Sequence, residues 1–245
     1  MQGYKRRMRI FFGRGAVRRR APHLRKTAVA VGAVMSSLVA AGVQARQEAH
    51  AASVTPAEKS AVTCANSDLV YKPRSAFPST TSGTAAYLVQ NLRIRQAVLC
   101  LVNGERAARG LAALSGSSAG AAKLYSAALG HVNESVRLKW WGSSSPHVNP
   151  QTGSTILSRA KAAGYTTGCR SFTVKENTYT GWGAAKVTPR AAVKWWMGSA
   201  GHRATILDRA LKDTGVAVAW GSADKAAGSI TPAVSYVQMF GVCTR

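Results

Sequence analysis

The spacing of apolar positions divides this chain into a leading part with little packing periodicity and a later part with clear helical and strand periods. From Ala85 to Arg109, Leu88, Leu92, Val98, Leu101 and Val102 stand as the buried candidates of a first helix. Gly110 follows at the position where a helix is commonly stopped. A second helix is predicted from Ser118 to Lys139, with Leu124, Ala128, His131, Ser135 and Leu138 on one face, which turns His131 inward. Trp140 and Trp141 end it as packing residues, and a third helix runs from Thr152 to Ala163 before Gly164. Thr188 and Pro189 read as N-cap and first residue of a fourth helix, since proline lacks the N–H that a first turn leaves unpaired. Ala192, Val193, Trp196 and Met197 form its buried stripe, and the small residues 198–201 break it. Strands are predicted at Ser171–Thr178, Thr214–Trp220 and Ala233–Phe240, the last two joined by a turn-rich connection. Helices first and strands interleaved later give an α+β domain with an antiparallel sheet.

The leading part reads differently. Ten Lys/Arg residues from Lys5 to Lys26 precede an apolar run of 16 residues, Ala28 to Val43, and Ala49-His50-Ala51 offers a small-residue cleavage site. That order is a secretory signal peptide over residues 1–51, and the run falls short of the roughly 20 apolar residues a membrane span needs. Residues 52–87, rich in Ser, Thr, Pro and Ala, are expected as an extended lead-in tied down by Cys64. Without residues 1–51 the chain keeps 22 basic and 8 acidic side chains, a formal charge of +14. Such a charge attracts polyanions and anionic surfaces in a salt-sensitive way. No run of basic residues interleaved with aromatics marks a specific nucleic-acid groove. Four cysteines, Cys64, Cys100, Cys169 and Cys243, form an even set in an exported chain and imply two disulfides, with three connectivities open.

The stretch from Lys175 to Leu207, with KENTYTG followed by TPRAAVKWWMGSAGHRATIL, resembles the signature region of the bacterial branch of the CAP superfamily, the SCP-like extracellular domain. Upstream, Asn103 and Arg106 with the following GLAAL match the family's opening signature, where these residues serve structure. SPHVNP and the later Arg159 with Ala163-Gly164-Tyr165 match another segment, with one extra residue between Pro150 and Gly153. The resemblance implies an α-β-α three-layer sandwich with a central antiparallel sheet over residues 88–245. It also implies a secreted, monomeric protein. The disulfide pairing we expect is Cys64 with Cys100 and Cys169 with Cys243; spacing alone does not choose it.

Carried over position by position, the family's cavity falls on His147, Glu176 and His202. Ser199, His131, Asn177 and Arg203 are supporting residues. Two imidazoles and a carboxylate could ligate Zn²⁺ and leave one position for water. Without metal, Glu176 could orient a histidine. Ser199 stands three residues before His202, yet nothing in the sequence brings its hydroxyl to the ring. No HExxH, G-x-S-x-G or phosphate-cradling loop is present. The reading therefore leans away from an enzyme and toward a binding protein for a lipid, sterol or anionic wall polymer. The alternatives are a zinc-dependent extracellular hydrolase and a cationic protein acting on anionic surfaces or nucleic acid. Two departures bear on the cavity. Lys175 stands where the family has Gly, a cation expected to lower the pKa of Glu176, and Thr205 replaces an Asn that braces the His202 turn.

Overall fold

The computed structural model describes residues 63–245, so the expected signal peptide and residues 52–62 of the lead-in lie outside the described residues. Five α-helices pack on a three-stranded sheet. In chain order these are α1 (Thr81–Ala107), α2 (Ala119–Leu138), α3 (Ile156–Ala162), β1 (Ser171–Trp182), α4 (Pro189–Gly198), α5 (Ala200–Ile206), β2 (Asp213–Trp220) and β3 (Ala233–Thr244). The strand order is β1-β3-β2, all antiparallel, which leaves β1 on one edge.

Strand alternation divides the core in two, because successive side chains leave a strand on opposite faces. Val216, Val218, Val234, Tyr236 and Phe240 pack with Ile94 and Val98 of α1 and Val193 and Trp196 of α4. Ala217, Ala219, Val237 and Met239 pack instead with Leu124, Ala128 and Val132 of α2 and Ala160 of α3. The result is an α-β-α sandwich. Small residues on β2 let α2 lie close: a Cβ at Gly215 would stand 2.1 Å from the backbone nitrogen of Tyr125. Among the described residues no helix is long and apolar enough to cross a membrane.

The helix signals act as their chemistry requires. The side chains of Ser118, Thr155 and Thr188 each accept a hydrogen bond from a first-turn N–H, and Pro189 opens α4. Gly110, with φ +67°, takes the left-handed turn just beyond α1. Arg106, almost fully buried, donates to the carbonyls of Ala112, Ile206 and Asp208, tying α1 to the segment after α5. Asn103 clasps Leu114 through its backbone N–H and carbonyl. Disulfides join Cys64 to Cys100 on α1 and Cys169 to Cys243 on β3.

The structure corrects several expectations. The first helix begins at Thr81, so the last residues of the expected lead-in are helical, with Thr80 as N-cap. Residues before it are held by more than Cys64: Gln90 bonds both backbone groups of Lys72, Tyr71 bonds Tyr87 and Asn91, and Asp68 pairs with Arg190. Leu88 and Leu92, expected in the core, are 60% and 48% exposed, because the buried face of α1 runs instead through Gln90, Ile94, Ala97, Val98 and Val102. The third helix starts four residues later than expected, at Ile156, where Thr155 and Ser158 form a reciprocal capping box. β1 and β3 each run four residues further, to Trp182 and Thr244.

Gly215→Ala should cost about 3 kcal/mol or prevent folding, since helix backbone cannot yield to the new methyl. Gly130→Ala, at a helical site with open space around it, should be neutral or stabilising by up to about 1 kcal/mol. Urea denaturation of the two variants checks the contrast.

Candidate functional site

Glu176 and Asn177 are neighbours in β1 and therefore point to opposite faces of the sheet. Glu176 faces the layer of α2 and α3, where it lies opposite Met239 of β3. Its side chain is wholly buried. Arg159 of α3 donates from Nη2 to both carboxylate oxygens, at 3.0 and 2.8 Å. His147, on the loop between α2 and α3, adds its Nδ1 to Oε1 at 2.9 Å. A carboxylate can only accept, so this Nδ1 donates, and whenever the ring is neutral its lone pair lies on Nε2. The His147 side chain is one-third exposed.

Two further contacts set the loop. Arg159 Nη2 also donates to the His147 carbonyl at 3.1 Å. His131 of α2 donates from Nε2 to the Pro146 carbonyl at 2.8 Å, with the same nitrogen 3.7 Å from Glu176 Oε1. His131 is thus an inward histidine bonded to backbone, and Trp140 and Trp141 flank its ring. Burial holds its pKa below the usual 6.5, with the positive charges of Arg159 and His147 acting the same way and Glu176 opposing them.

On the opposite face, Asn177 is buried and donates from Nδ2 to the His202 carbonyl at 3.1 Å, fixing the start of α5 against β1. His202 Nδ1 lies 2.9 Å from Ser199 Oγ, so the hydroxyl does reach the ring. It does so because Ser199 is the N-cap residue of α5 and directs its side chain to the third helical residue rather than to a backbone N–H. Trp195 stacks at a tilt on the His202 ring, centroids 4.8 Å apart. Burial lowers the His202 pKa, and the charge of nearby His147 lowers it further. Arg203 is a helix-end residue, donating to the Met197 carbonyl from an exposed position.

The structure therefore joins His147 to Glu176 and sets His202 beside them across the strand, bonded to Ser199 instead of the carboxylate. Lys175 is not the cation beside Glu176. Alternation sends it to the other face, where it pairs with Asp208 at 2.7 Å and, ahead of the Ala210 N–H, holds that carboxyl below its usual range. The cation at Glu176 is Arg159, which the motif positions His147, Glu176 and His202 did not bring forward as part of the site. Its signal was an arginine in the same register as the apolar face of α3, one residue before buried Ala160. The hydroxyl of Thr205 bonds back to the Gly201 carbonyl, while the brace on the His202 turn comes from Asn177.

These partners bear on metal binding. A zinc site made of His147, Glu176 and His202 needs a free carboxylate oxygen, yet Arg159 holds both and His147 shares one. Among the described residues no group of three or more His, Cys, Asp or Glu side chains is arranged to hold a metal ion. The residues do not fit a three-ligand zinc centre. What they build is a carboxylate that orients one imidazole, leaving its Nε2 toward solvent.

The sequence matches the CAP family, described as the cysteine-rich secretory protein family, over residues 99–240. An extracellular protein containing an SCP domain from Bacillus anthracis str. Ames is similar in structure, with 20% identity and a TM-score of 0.46 over 69% of this chain. The match covers 45% of that protein, so this chain spans less than half its length. An outer surface protein from Borrelia burgdorferi is similar at 14% identity and a TM-score of 0.38, over 58% of this chain and 87% of that one. Nothing matches among curated proteins.

Glu176→Gln should destabilise the fold by about 3 kcal/mol, because it strands the buried Arg159 charge; urea denaturation at pH 7.5 measures this. A histidine whose folded pKa is depressed takes up a proton more readily when unfolded. The contribution of His131 and His202 is therefore complete above about pH 6.5, the ordinary value, and is lost as pH falls below it. Unfolding midpoints at pH 7.5 and 5.5 should diverge in the wild type and converge in part in His131→Gln.

Proposed function

This chain belongs to the cysteine-rich secretory protein (CAP) family, and from that premise we propose that it is an exported binding protein, holding an extracellular ligand through the outward nitrogens of His147 and His202. The observation that carries the reading is the engagement of Glu176. A carboxylate fully buried, with both oxygens bonded by Arg159 and one also by His147, is shut off from solvent and committed to holding its neighbours. It acts as an anchor that presents the His147 ring in one orientation. The Ser199–His202 pair lacks a group on the far side of the imidazole to complete a nucleophile–base–orienter set: no partner besides Ser199 bonds the His202 ring nitrogens among the described residues. Two disulfides in a domain of this size suit an oxidising compartment outside the cytosol.

The site then works by recognition. His147 offers Nε2 as an acceptor when neutral and as a donor when protonated, and His202 does the same beside an exposed tryptophan. Ligands with a polar end and an apolar body, a lipid or a sterol, suit such a surface, and the net positive charge around it suits an anionic wall polymer.

Protein purified from its native secretion without a histidine tag should carry a small molecule detectable by native mass spectrometry. His147→Ala should shed at least ten-fold of it while keeping its disulfides and melting behaviour. Sub-micromolar zinc binding in the wild type that His147→Ala abolishes would overturn the reading in favour of a metal-dependent hydrolase.

A further inference from the structure

Asn149, in the loop between α2 and α3, is almost fully buried. Its Oδ1 accepts from the backbone N–H groups of Gln151 and Thr152, at 2.9 and 3.3 Å, which settles which end of the amide is oxygen. The Nδ2 end, with two hydrogens to donate, has no partner among the described residues. Asn149 lines a hollow of about 410 Å³ between α2 and α3, whose wall also includes Ser126, His131, Glu134, Thr152 and Arg159. That volume falls within the roughly 300–1,000 Å³ of small-molecule sites. Neither His147 nor His202 lines it.

Two buried side chains in the same wall each keep an unused polar atom. His131 donates from Nε2 to the Pro146 carbonyl, which leaves Nδ1 of the neutral ring as an acceptor, and this Nδ1 is buried without a partner. Arg159 commits Nη1 to the Ser154 carbonyl and Nη2 to Glu176 and the His147 carbonyl, while its Nε–H is likewise buried and unpaired. The side chains of His131 and Arg159 are only 1% and 8% exposed. Folded proteins seldom leave such groups open, and water or a ligand normally fills them. A hydroxyl suits both, since it accepts from a guanidinium N–H and donates to an imidazole nitrogen. Charge narrows the choice further. Arg159 is paired with Glu176 and Glu134 with Arg137, so the charged side chains of this wall are compensated within the fold. An entering anion would meet Glu134 and an entering cation would meet Arg159, whereas a neutral molecule meets no repulsion from either.

We propose that the hollow between α2 and α3 is a second binding site, separate from the outward histidines, and that it takes a neutral polyhydroxylated ring, a single sugar unit. Asn149 Nδ2 donates to one ring hydroxyl, and a neighbouring hydroxyl accepts from Arg159 Nε and donates to His131 Nδ1. Gly130, with open space around its Cα, lines the same wall and leaves room for the ring. The site stands whatever His147 and His202 hold, because its contacts come from other side chains.

NMR titration of the disulfide-bonded protein with methyl glucoside at pH 7.5 tests the proposal, with methyl glucuronide and inorganic phosphate as separate arms. Methyl glucoside should shift the Asn149 side-chain amide and the His131 Nδ1 signals saturably, and should bind at least five-fold more tightly than its charged counterpart. Phosphate should leave both signals in place. Asn149→Asp keeps an oxygen for the two backbone N–H groups but replaces the donor with a charge, and should weaken glucoside binding ten-fold or more. Ser126→Trp fills the hollow from an exposed position on α2. It should melt as the wild type does and lose the glucoside-induced shift of the Arg159 Nε–H. His147→Ala should bind the glucoside as the wild type does. Signals that stay unshifted at high glucoside concentration would mean that water alone fills the hollow and would overturn the proposal, as would tighter binding of the glucuronide or of phosphate. Binding kept in Ser126→Trp and lost in His147→Ala would put the sugar at the histidines and overturn it too.

Discussion

A carboxylate with no solvent contact has to be neutralised where it stands, and Glu176 imposes that requirement on everything around it. Its partner, Arg159, must come from a different layer, since the strand itself supplies no cation on that face. The short helix α3 is capped and positioned so that one guanidinium nitrogen reaches both oxygens and, with the same group, the His147 carbonyl. Removing either charge would leave the other buried without compensation, which is far more costly than the pair itself is stabilising. The ion pair is therefore better understood as fixing one arrangement of the loop than as a source of net stability.

The edge position of β1 bears on how two histidines 55 residues apart in sequence are held to one strand. A central strand is fenced by neighbours on both sides, whereas an edge strand leaves one side open, where segments from the two layers can come together around it. The layer of α2 and α3 delivers His147 to one side through Glu176. The layer of α4 and α5 delivers His202 to the other side through Asn177. Two consecutive residues thus act as a double clamp, and the two-residue period of the strand is what separates their grips. The same alternation diverts Lys175 to Asp208, keeping a second cation away from the Glu176 cluster.

Chemistry follows from which lone pairs remain. With its carboxylate committed, the site keeps imidazole nitrogens, a hydroxyl and aromatic surface as its outward groups. The proposed binding role would use those groups for reversible recognition. The surplus of lysine and arginine over carboxylates gives the surrounding surface a salt-sensitive attraction for anions.

Much of this was legible in the residues. Helical spacing and Thr-Pro placed α4, alternating small and β-branched residues placed β2, and the Lys175–Leu207 motif with its upstream matches placed the family and the α-β-α layering. Those signals are local: caps, periods and motifs depend on neighbours within a few positions. The sequence also brought His147, Glu176 and His202 forward as a set, through the motif positions they occupy. Only the folded chain decided that Arg159 completes the cluster, that Ser199 bonds His202, and that Leu88 and Leu92 face solvent while Trp195 stands exposed beside buried Trp196. Each of those outcomes turns on which face of an element meets which layer, a choice set by contacts across the whole domain. A periodic pattern marks out a helix face, but the rotation that buries one tryptophan and exposes the next is fixed by a hydrogen bond to a strand 18 residues away.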